Sequence, residues 1–471
     1  MPPSETQAVT LTDRLAGLLI IGLSGLVIVR EWADIDALLT WPVGLVVVAL
    51  VGLLAFKVRR GGVIFILVSL ALTAALLLTR DDGWQVVRIG LGSASFIGAF
   101  FAALLTLRTA ASTSPGIRDC GRFLAAQPPG RRYAALTLGG QLFALPLNYG
   151  AIALLGGLAM TSAAEEPDKE RRDHRVRRML LAIQRGFIST LPWSPLSFAV
   201  AISVSVTPGA SWRALVLPSL GTAALVAGTG WLLDTLFKPR LSKPAPAFGP
   251  VDGGWSSLAP LVVLLAVLAL AIGGLHLETG VRIVGVVLLV VPVVSAAWIA
   301  LQARKAYPFL ELRRRAAAFA TTDLASVRSE LVLLMTAGYI GTTGSRLLGP
   351  MVEALGIDLA AWPTWVTLSA IVWFIPLMGQ AGMNPILCVS LFAPLVPEAS
   401  HLGVTPTAVA VALTAGWALS GITSPFTATT LLVGSFAKVS ALHVGLRWNG
   451  VYAFVTALLL TGWVLLYAAL N

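Results

Sequence analysis

GWALSGITSPFTATT, Gly416 to Thr430, is the stretch that decides the fold. It lies in a long apolar segment expected to cross a bilayer, yet its middle carries Ser420, Gly421, Thr423, Ser424, Pro425 and Thr427. Proline and glycine there release backbone carbonyls and amides that hydrocarbon cannot satisfy. Such a break persists only where it faces protein or a water-filled cavity. A second copy lies earlier, at Gly186 to Ser197, GFISTLPWSPLS. In both copies a Gly-aromatic pair is followed by Ser-Pro, Gly186 by Ser194-Pro195 and Gly416 by Ser424-Pro425. Paired intramembrane breaks in the two halves of a chain point to a transporter's binding site.

The whole composition agrees with a membrane setting. Of 471 residues 57% are hydrophobic and 12% charged, with a mean hydropathy of +0.85. Soluble domains carry about 25% charged residues, so the chain reads as an all-α polytopic membrane protein. The net charge of +11 sits in short loops between apolar runs. That pattern fits the positive-inside bias and not a nucleic-acid surface, so no nucleic-acid partner is expected. Cys120 and Cys388 form no CxxC or metal-type spacing and imply no disulfide framework. The polar start MPPSETQAVTLTDR is expected to precede a retained span, because it lacks the charged-then-apolar order of a signal peptide.

Apolar runs bounded by charged residues mark about eleven transmembrane helices. With basic loops counted as cytoplasmic, the N-terminus lies inside and the first four spans alternate. Tyr133 to Met160 breaks that alternation, being basic on both sides. We therefore expect a re-entrant hairpin with its tip at Pro146-Leu147-Asn148-Tyr149-Gly150 and arms of roughly 13 residues, about 20 Å at helical rise. Trp362 to Pro394 is expected to form a second hairpin, with outer loops at both ends and its tip within PLMGQAGMNP, Pro376 to Pro385. The halves superpose in sequence at one offset: 376−146, 416−186 and 424−194 all equal 230. The first hairpin opens from inside and the second from outside, which makes the arrangement an inverted repeat. The expected division is an N-terminal segment with the first span (1–40) and two repeats. The first (41–247) holds the inner hairpin 133–160 and the broken helix 179–206. The second (248–471) holds the outer hairpin 362–394 and the broken helix 405–437.

This architecture resembles the ion transporter superfamily, and within it the divalent anion/sodium symporter type. The resemblance covers nearly the whole chain and is carried by the spans, the opposed hairpins and the broken helix after each. The Ser-Asn-Thr triplets common in that family are absent; Asn148 in PLNYG and Asn384 in GMNP are the nearest tip asparagines. The resemblance implies secondary active transport of a small anionic solute, driven by Na⁺ or H⁺, with an elevator-like movement of hairpins and broken helices. It also implies a homodimer. The expected location is the bacterial inner membrane.

At each break, freed amides suit an anion and freed carbonyls suit Na⁺. The candidate solute ligands are Ser189, Thr190 and Ser194 in the first copy, and Ser420, Thr423, Ser424 and Thr427 in the second. Asn148, Gln380 and Asn384 are the tip amides expected to complete the site. Na⁺ is expected near Gly150, Ser194, Gly421 and Ser424. The bland alternative is that these hydroxyls return hydrogen bonds to i−4 carbonyls and steady the kinks. Trp193 and Tyr149 either wall the cavity or pack. Thr342 and Thr343 end a Gly-rich span. Arg185 is expected to snorkel to the inner face with Arg177 and Arg178, the alternative being to meet an anion. Asp234 is expected in a surface pair with Lys238. No carboxylate lies inside either break, which favours Na⁺ over H⁺ as coupling ion, and no other cofactor is expected. The rival class, an integral membrane transferase acting on a lipid-linked substrate, calls for a catalytic Asp, Glu or His at an interface. The short outer loops are poor in such residues, so no enzyme is expected.

Overall fold

The computed structural model describes residues 10–33, 36–58, 60–238, 254–304, 307–355 and 359–471. The charged loop residues Asp34, Lys305 and Asp358, and the segment KPRLSK beyond Lys238, lie outside these residues. Every regular element among the described residues is a helix. Nine of them are long and apolar enough to cross a bilayer by length and composition. Two further long elements, Lys169–Thr190 with its continuation and Arg328–Ala354, carry charged ends that lower their hydropathy. The all-α polytopic class therefore holds.

The chain forms two compact units, each drawing on two separate stretches: 1–110 with 267–354, and 111–266 with 355–471. The repeats expected from the sequence divide the chain along its length, whereas the units divide it by packing.

The first unit contains the helices Leu11–Ala33, Asp36–Leu54, Arg60–Thr79, Ile283–Gln302, Pro308–Ala318 and Arg328–Ala354, with most of Gly83–Ser112. Charges at helix ends are paired. Asp13, 8% exposed, meets Lys57 at 3.0 Å and Arg328 at 3.4 Å, and Glu31 meets Arg282 at 2.6 Å. Gly17 lies against the carbonyl of Ala320 so closely that any side chain would displace it. Thr342 donates to Ser93 Oγ at 2.9 Å and Thr343 to the Tyr339 carbonyl at 2.7 Å. Both hydroxyls are thus engaged within this unit.

The second unit holds both hairpins and both broken helices. The first hairpin has arms Pro129–Leu147 and Gly150–Ala164. A β-carbon placed on Gly139 would lie 3.6 Å from Leu155 Cδ1, whereas a straight helix would separate these residues by about 24 Å. The chain therefore doubles back at Asn148-Tyr149, where Asn148 takes φ 49° and ψ −133°, a backbone that favours glycine. The second hairpin has arms Thr364–Gln380 and Pro385–Phe392. Phe374 and Phe392 stack at 4.4 Å across it, and its turn contains Gly382 at φ 93°, a glycine conformation.

The basic region after Leu107 contains the helix Pro115–Ala125. Its buried residues Ile117, Cys120, Gly121 and Leu124 fall on one face at helical spacing, with Arg118, Asp119 and Arg122 on the other. That face packs on both arms of the first hairpin. The basic inner loop near Arg313 likewise contains a helix, Pro308–Ala318. In both, proline occupies the first turn, where its missing N–H costs nothing.

Candidate functional site

The two broken helices are interrupted for a local reason. Lys169–Thr190 stops before Pro192 and Pro195, and Phe198–Val206 resumes with Ser197 as its cap, accepting from Val200 N at 3.2 Å. Pro406–Thr423 stops before Pro425, and Ala428–Ala437 resumes after Thr427. Proline offers no N–H and disfavours helical geometry in the residue before it. Ser424, which precedes Pro425, is extended at φ −67°, ψ 126°.

The breaks share two side-chain hydrogen bonds at equivalent positions. Ser194 Oγ accepts from Leu196 N at 3.1 Å and Ser424 Oγ from Phe426 N at 3.3 Å. Ser197 Oγ donates to the Leu191 carbonyl at 2.7 Å, and Thr427 Oγ1 reaches the Gly421 carbonyl at 3.5 Å. In each case the offset is the same, since 424−194, 426−196, 427−197 and 421−191 all equal 230. The two breaks also abut, because a β-carbon on Gly421 would lie 2.6 Å from Ile188 Cδ1 and 3.6 Å from Leu191 Cδ1.

Each break is seated on its own hairpin. Thr190 Oγ1 donates to the Gln141 carbonyl at 3.1 Å, and Tyr149 stacks on Phe187 at 5.3 Å. Ser424 Oγ donates to the Gly379 carbonyl at 2.6 Å, and Phe426 faces Gly382 at the second tip. Asn384 caps its helix by accepting from Ile386 N at 2.8 Å. The side-chain amides of Asn148 and Gln380 make no hydrogen bond among the described residues, although both are half-buried.

Most candidate hydroxyls are committed to backbone carbonyls. Ser189 donates to Gly186 O at 2.7 Å and Thr423 to Leu419 O at 2.8 Å, the kink-steadying geometry. Ser420 differs. It is fully buried, lies against Gly379, and its hydroxyl has no partner among the described residues. The indole N–H of Trp193 is likewise buried without an acceptor among them.

Sequence reading missed an oxygen cluster in the second break. Thr430 Oγ1 donates to Ser424 O at 2.6 Å, and Thr429 Oγ1 to Gly421 O. With their protons directed at carbonyls, these hydroxyls keep their lone pairs, and Thr427 Oγ1 lies 3.0 Å from Thr429 Oγ1 and 3.2 Å from Thr430 Oγ1. Three hydroxyl and two carbonyl oxygens thus converge at one helix interruption, a hard-oxygen donor set of the kind that suits a small cation. The carbonyls of Gly421 and Ser424, read above as neighbours of Na⁺, each already accept threonine hydroxyls. The consecutive threonines after Thr427 were the signal available in the sequence. Among the described residues there is no group of three or more His, Cys, Asp or Glu side chains placed to hold a metal ion.

Two ionic expectations are corrected. Arg185 does not snorkel: it is 5% exposed, donates to Asn449 Oδ1 at 3.1 Å and to the Tyr133 hydroxyl at 2.9 Å, and lies 4.0 Å over the Tyr452 ring. Neutral dipoles and a ring face hold it inside. Asp234 pairs with Arg178 through two hydrogen bonds of 2.8 and 2.6 Å, not with Lys238. The helix Lys169–Thr190 packs along Trp212–Leu236 and brings that fork to the carboxylate.

Hairpins and paired broken helices in an all-α membrane protein define a fold class, and two solved structures are similar to it. The crystal structure of the Alcanivorax borkumensis YdaH transporter matches with a TM-score of 0.59 at 18% identity, covering 87% of this chain and 98% of that one. Neisseria gonorrhoeae MtrF, described with a class of antimetabolite efflux pumps, matches with a TM-score of 0.56 at 13% identity, covering 87% of this chain and 96% of its own. At these identities the likeness is one of fold. No protein-family model and no curated protein sequence matches the chain.

Proposed function

We propose that the protein is a secondary active transporter of a small organic anion, coupled to an ion gradient and resident in a bacterial inner membrane. The observation that carries this reading is the pair of breaks, with the same hydrogen bonds at an offset of 230, abutting at Gly421 and Ile188. A helix interruption inside an apolar segment concentrates unsatisfied dipoles at the bilayer midplane, which is where transporters bind. The fold likeness to YdaH and MtrF supports the same class.

The finer reading follows the donor chemistry. Na⁺ is the coupling ion, held near Ser424 and Gly421 by the hydroxyls of Thr427, Thr429 and Thr430. The solute sits by Ser420, Gln380 and Asn148, whose polar groups are open. Hairpins and broken helices belong to one compact unit, which suits their moving together in an elevator-like step. Membership of the divalent anion/sodium symporter type, and a homodimeric state, are part of this proposal.

Uptake of labelled carboxylates into proteoliposomes under an imposed Na⁺ or H⁺ gradient tests it. Gradient-dependent accumulation that collapses with an ionophore is expected. Transport that equilibrates without any gradient dependence would replace the carrier by a channel, and no transport at all would remove the reading.

A further inference from the structure

Arg185 is a buried cation whose partners carry no negative charge. Asn449 Oδ1, the Tyr133 hydroxyl and the Tyr452 ring surround it, and Gly230 lies against its side chain, where a β-carbon would sit 3.1 Å from Cδ. Among the described residues no carboxylate approaches it within ion-pair distance. Asp234, the acidic residue of the neighbouring helix, is held by Arg178 at 2.6 Å. An uncompensated charge in the interior of a membrane protein is costly, and such residues mark ligand or ion paths.

A second observation points the same way. Gln184 is fully buried, and its Nε2 has no acceptor among the described residues. Its Oε1 accepts from Asn449 Nδ2 at 3.0 Å, so one asparagine, itself fully buried, holds both neighbouring side chains in place. A guanidinium without a counter-ion and an amide N–H₂ without an acceptor, fixed by one residue, form a donor set that lacks an anion. The planar guanidinium fork matches a carboxylate.

The position links this set to both breaks. Arg185 precedes Leu191 by six residues, about 9 Å at helical rise. Asn449 follows the π-helical turn His443–Trp448, whose Gly445 rests directly on the carbonyl of Thr423. π-turns are frequent at functional sites.

We propose that Arg185 and Gln184 form the subsite for a carboxylate of the transported solute, so that the solute itself supplies the counter-ion missing from the protein. This rests on the carrier reading above.

The test is thermal unfolding of the purified protein with benzoate, succinate, citrate or phosphate, and with benzamide and succinamide as neutral partners. At least one carboxylate should raise the melting temperature while its amide does not. Arg185→Gln should raise the half-saturating concentration of that carboxylate about tenfold or more, with Arg185→Lys between the two. Asn449→Asp sets a carboxylate beside Arg185 at the cost of the amide's donations to Gln184 Oε1 and the Val444 carbonyl, and should abolish the carboxylate response. The intermediate response of Arg185→Lys separates loss of the subsite from loss of the fold. An unchanged response in Arg185→Gln, a retained response in Asn449→Asp, or stabilisation only by phosphate or by amides would each overturn the subsite. Proteoliposomes separate the two readings. If Arg185→Gln takes up solute as the wild type does, the subsite fails and the carrier stands; if the wild type moves nothing, the carrier fails.

Discussion

The two helix breaks share a backbone and differ in what furnishes it. At the offset of 230, Ser197 matches Thr427, but Ala199 and Val200 stand where the second break has Thr429 and Thr430. The first break therefore satisfies the Leu191 carbonyl with one serine hydroxyl, while the second gathers three threonine hydroxyls around the carbonyls of Gly421 and Ser424. The charge runs the other way, since Arg185 matches Ala415 and Gln184 matches Thr414. The oxygen-rich break suits a cation, and the helix leading to the other break carries the guanidinium. On the function proposed above, the two breaks share the geometry that makes an interruption tolerable and divide the binding chemistry between them.

Packing under the two breaks gives the largest expected contrast. Gly186 lies so close to the Thr137 carbonyl that a β-carbon would overlap it, whereas one on Gly416 would meet Ile375 Cδ1 at 2.8 Å and Ile371 O at 2.9 Å. Both glycines face backbone carbonyls, Ile371 O and Val372 O at Gly416 and Thr137 O at Gly186, and the overlap is the deeper at Gly186. Gly186→Ala should cost about 2–3 kcal/mol and Gly416→Ala about 1 kcal/mol, read as thermal unfolding in detergent. Equal losses would mean that the two helix crossings are equally tight.

A smaller effect should separate the chemistry. Thr429→Val with Thr430→Val removes two hydroxyls at nearly constant volume and should raise the Na⁺ concentration for half-maximal uptake about tenfold or more. Ser197→Ala in the first break should lose about 1 kcal/mol of stability and leave the Na⁺ dependence alone. A shift in Na⁺ dependence from Ser197→Ala as large as that from the threonine pair would erase the proposed division.

Ser420 and Thr190 are offset mates with opposite commitments. Thr190→Ala forfeits the bond to Gln141 O and should destabilise by about 1 kcal/mol. Ser420→Ala forfeits no internal bond and should leave the unfolding free energy within about 0.5 kcal/mol of the parent while weakening solute binding. If Ser420→Ala binds solute normally, the open hydroxyl is a packing feature. The smallest effect is expected at Ser205, whose hydroxyl donates to Ile202 O at 2.8 Å at the far end of the first broken helix. Ser205→Ala should change neither uptake nor coupling.

Topology offers a check independent of energetics. Cysteines at Arg131 and Lys169, both exposed and flanking the first hairpin, should be labelled by a membrane-impermeant reagent from the cytoplasmic side alone. Labelling from opposite faces would turn the doubled-back helices into an ordinary crossing and undo the inverted relation between the breaks.

Much of the architecture follows from the sequence by itself, because its causes are local. Apolar runs of bilayer length, charged flanks and prolines inside those runs locate the spans and the breaks. Pro192, Pro195 and Pro425 mark the breaks together with the serines and glycines around them, since Pro218 and Pro292 sit inside continuous helices, and Gly382 suits the positive φ of its turn. Only the tertiary structure decides the partners. Arg185 meets Asn449 across 264 residues, and Asp234 is taken by Arg178 at a separation of 56 instead of by its neighbour Lys238. Nothing in the spacing of either pair announces it, since it depends on which helix faces turn toward each other. The same holds for the hydroxyls: serine and threonine beside a break mark a polar site, but a hydroxyl spends its single proton on whichever carbonyl the packed chain brings within reach. Packing sent those of Ser424 and Thr430 to backbone oxygens and left that of Ser420 open.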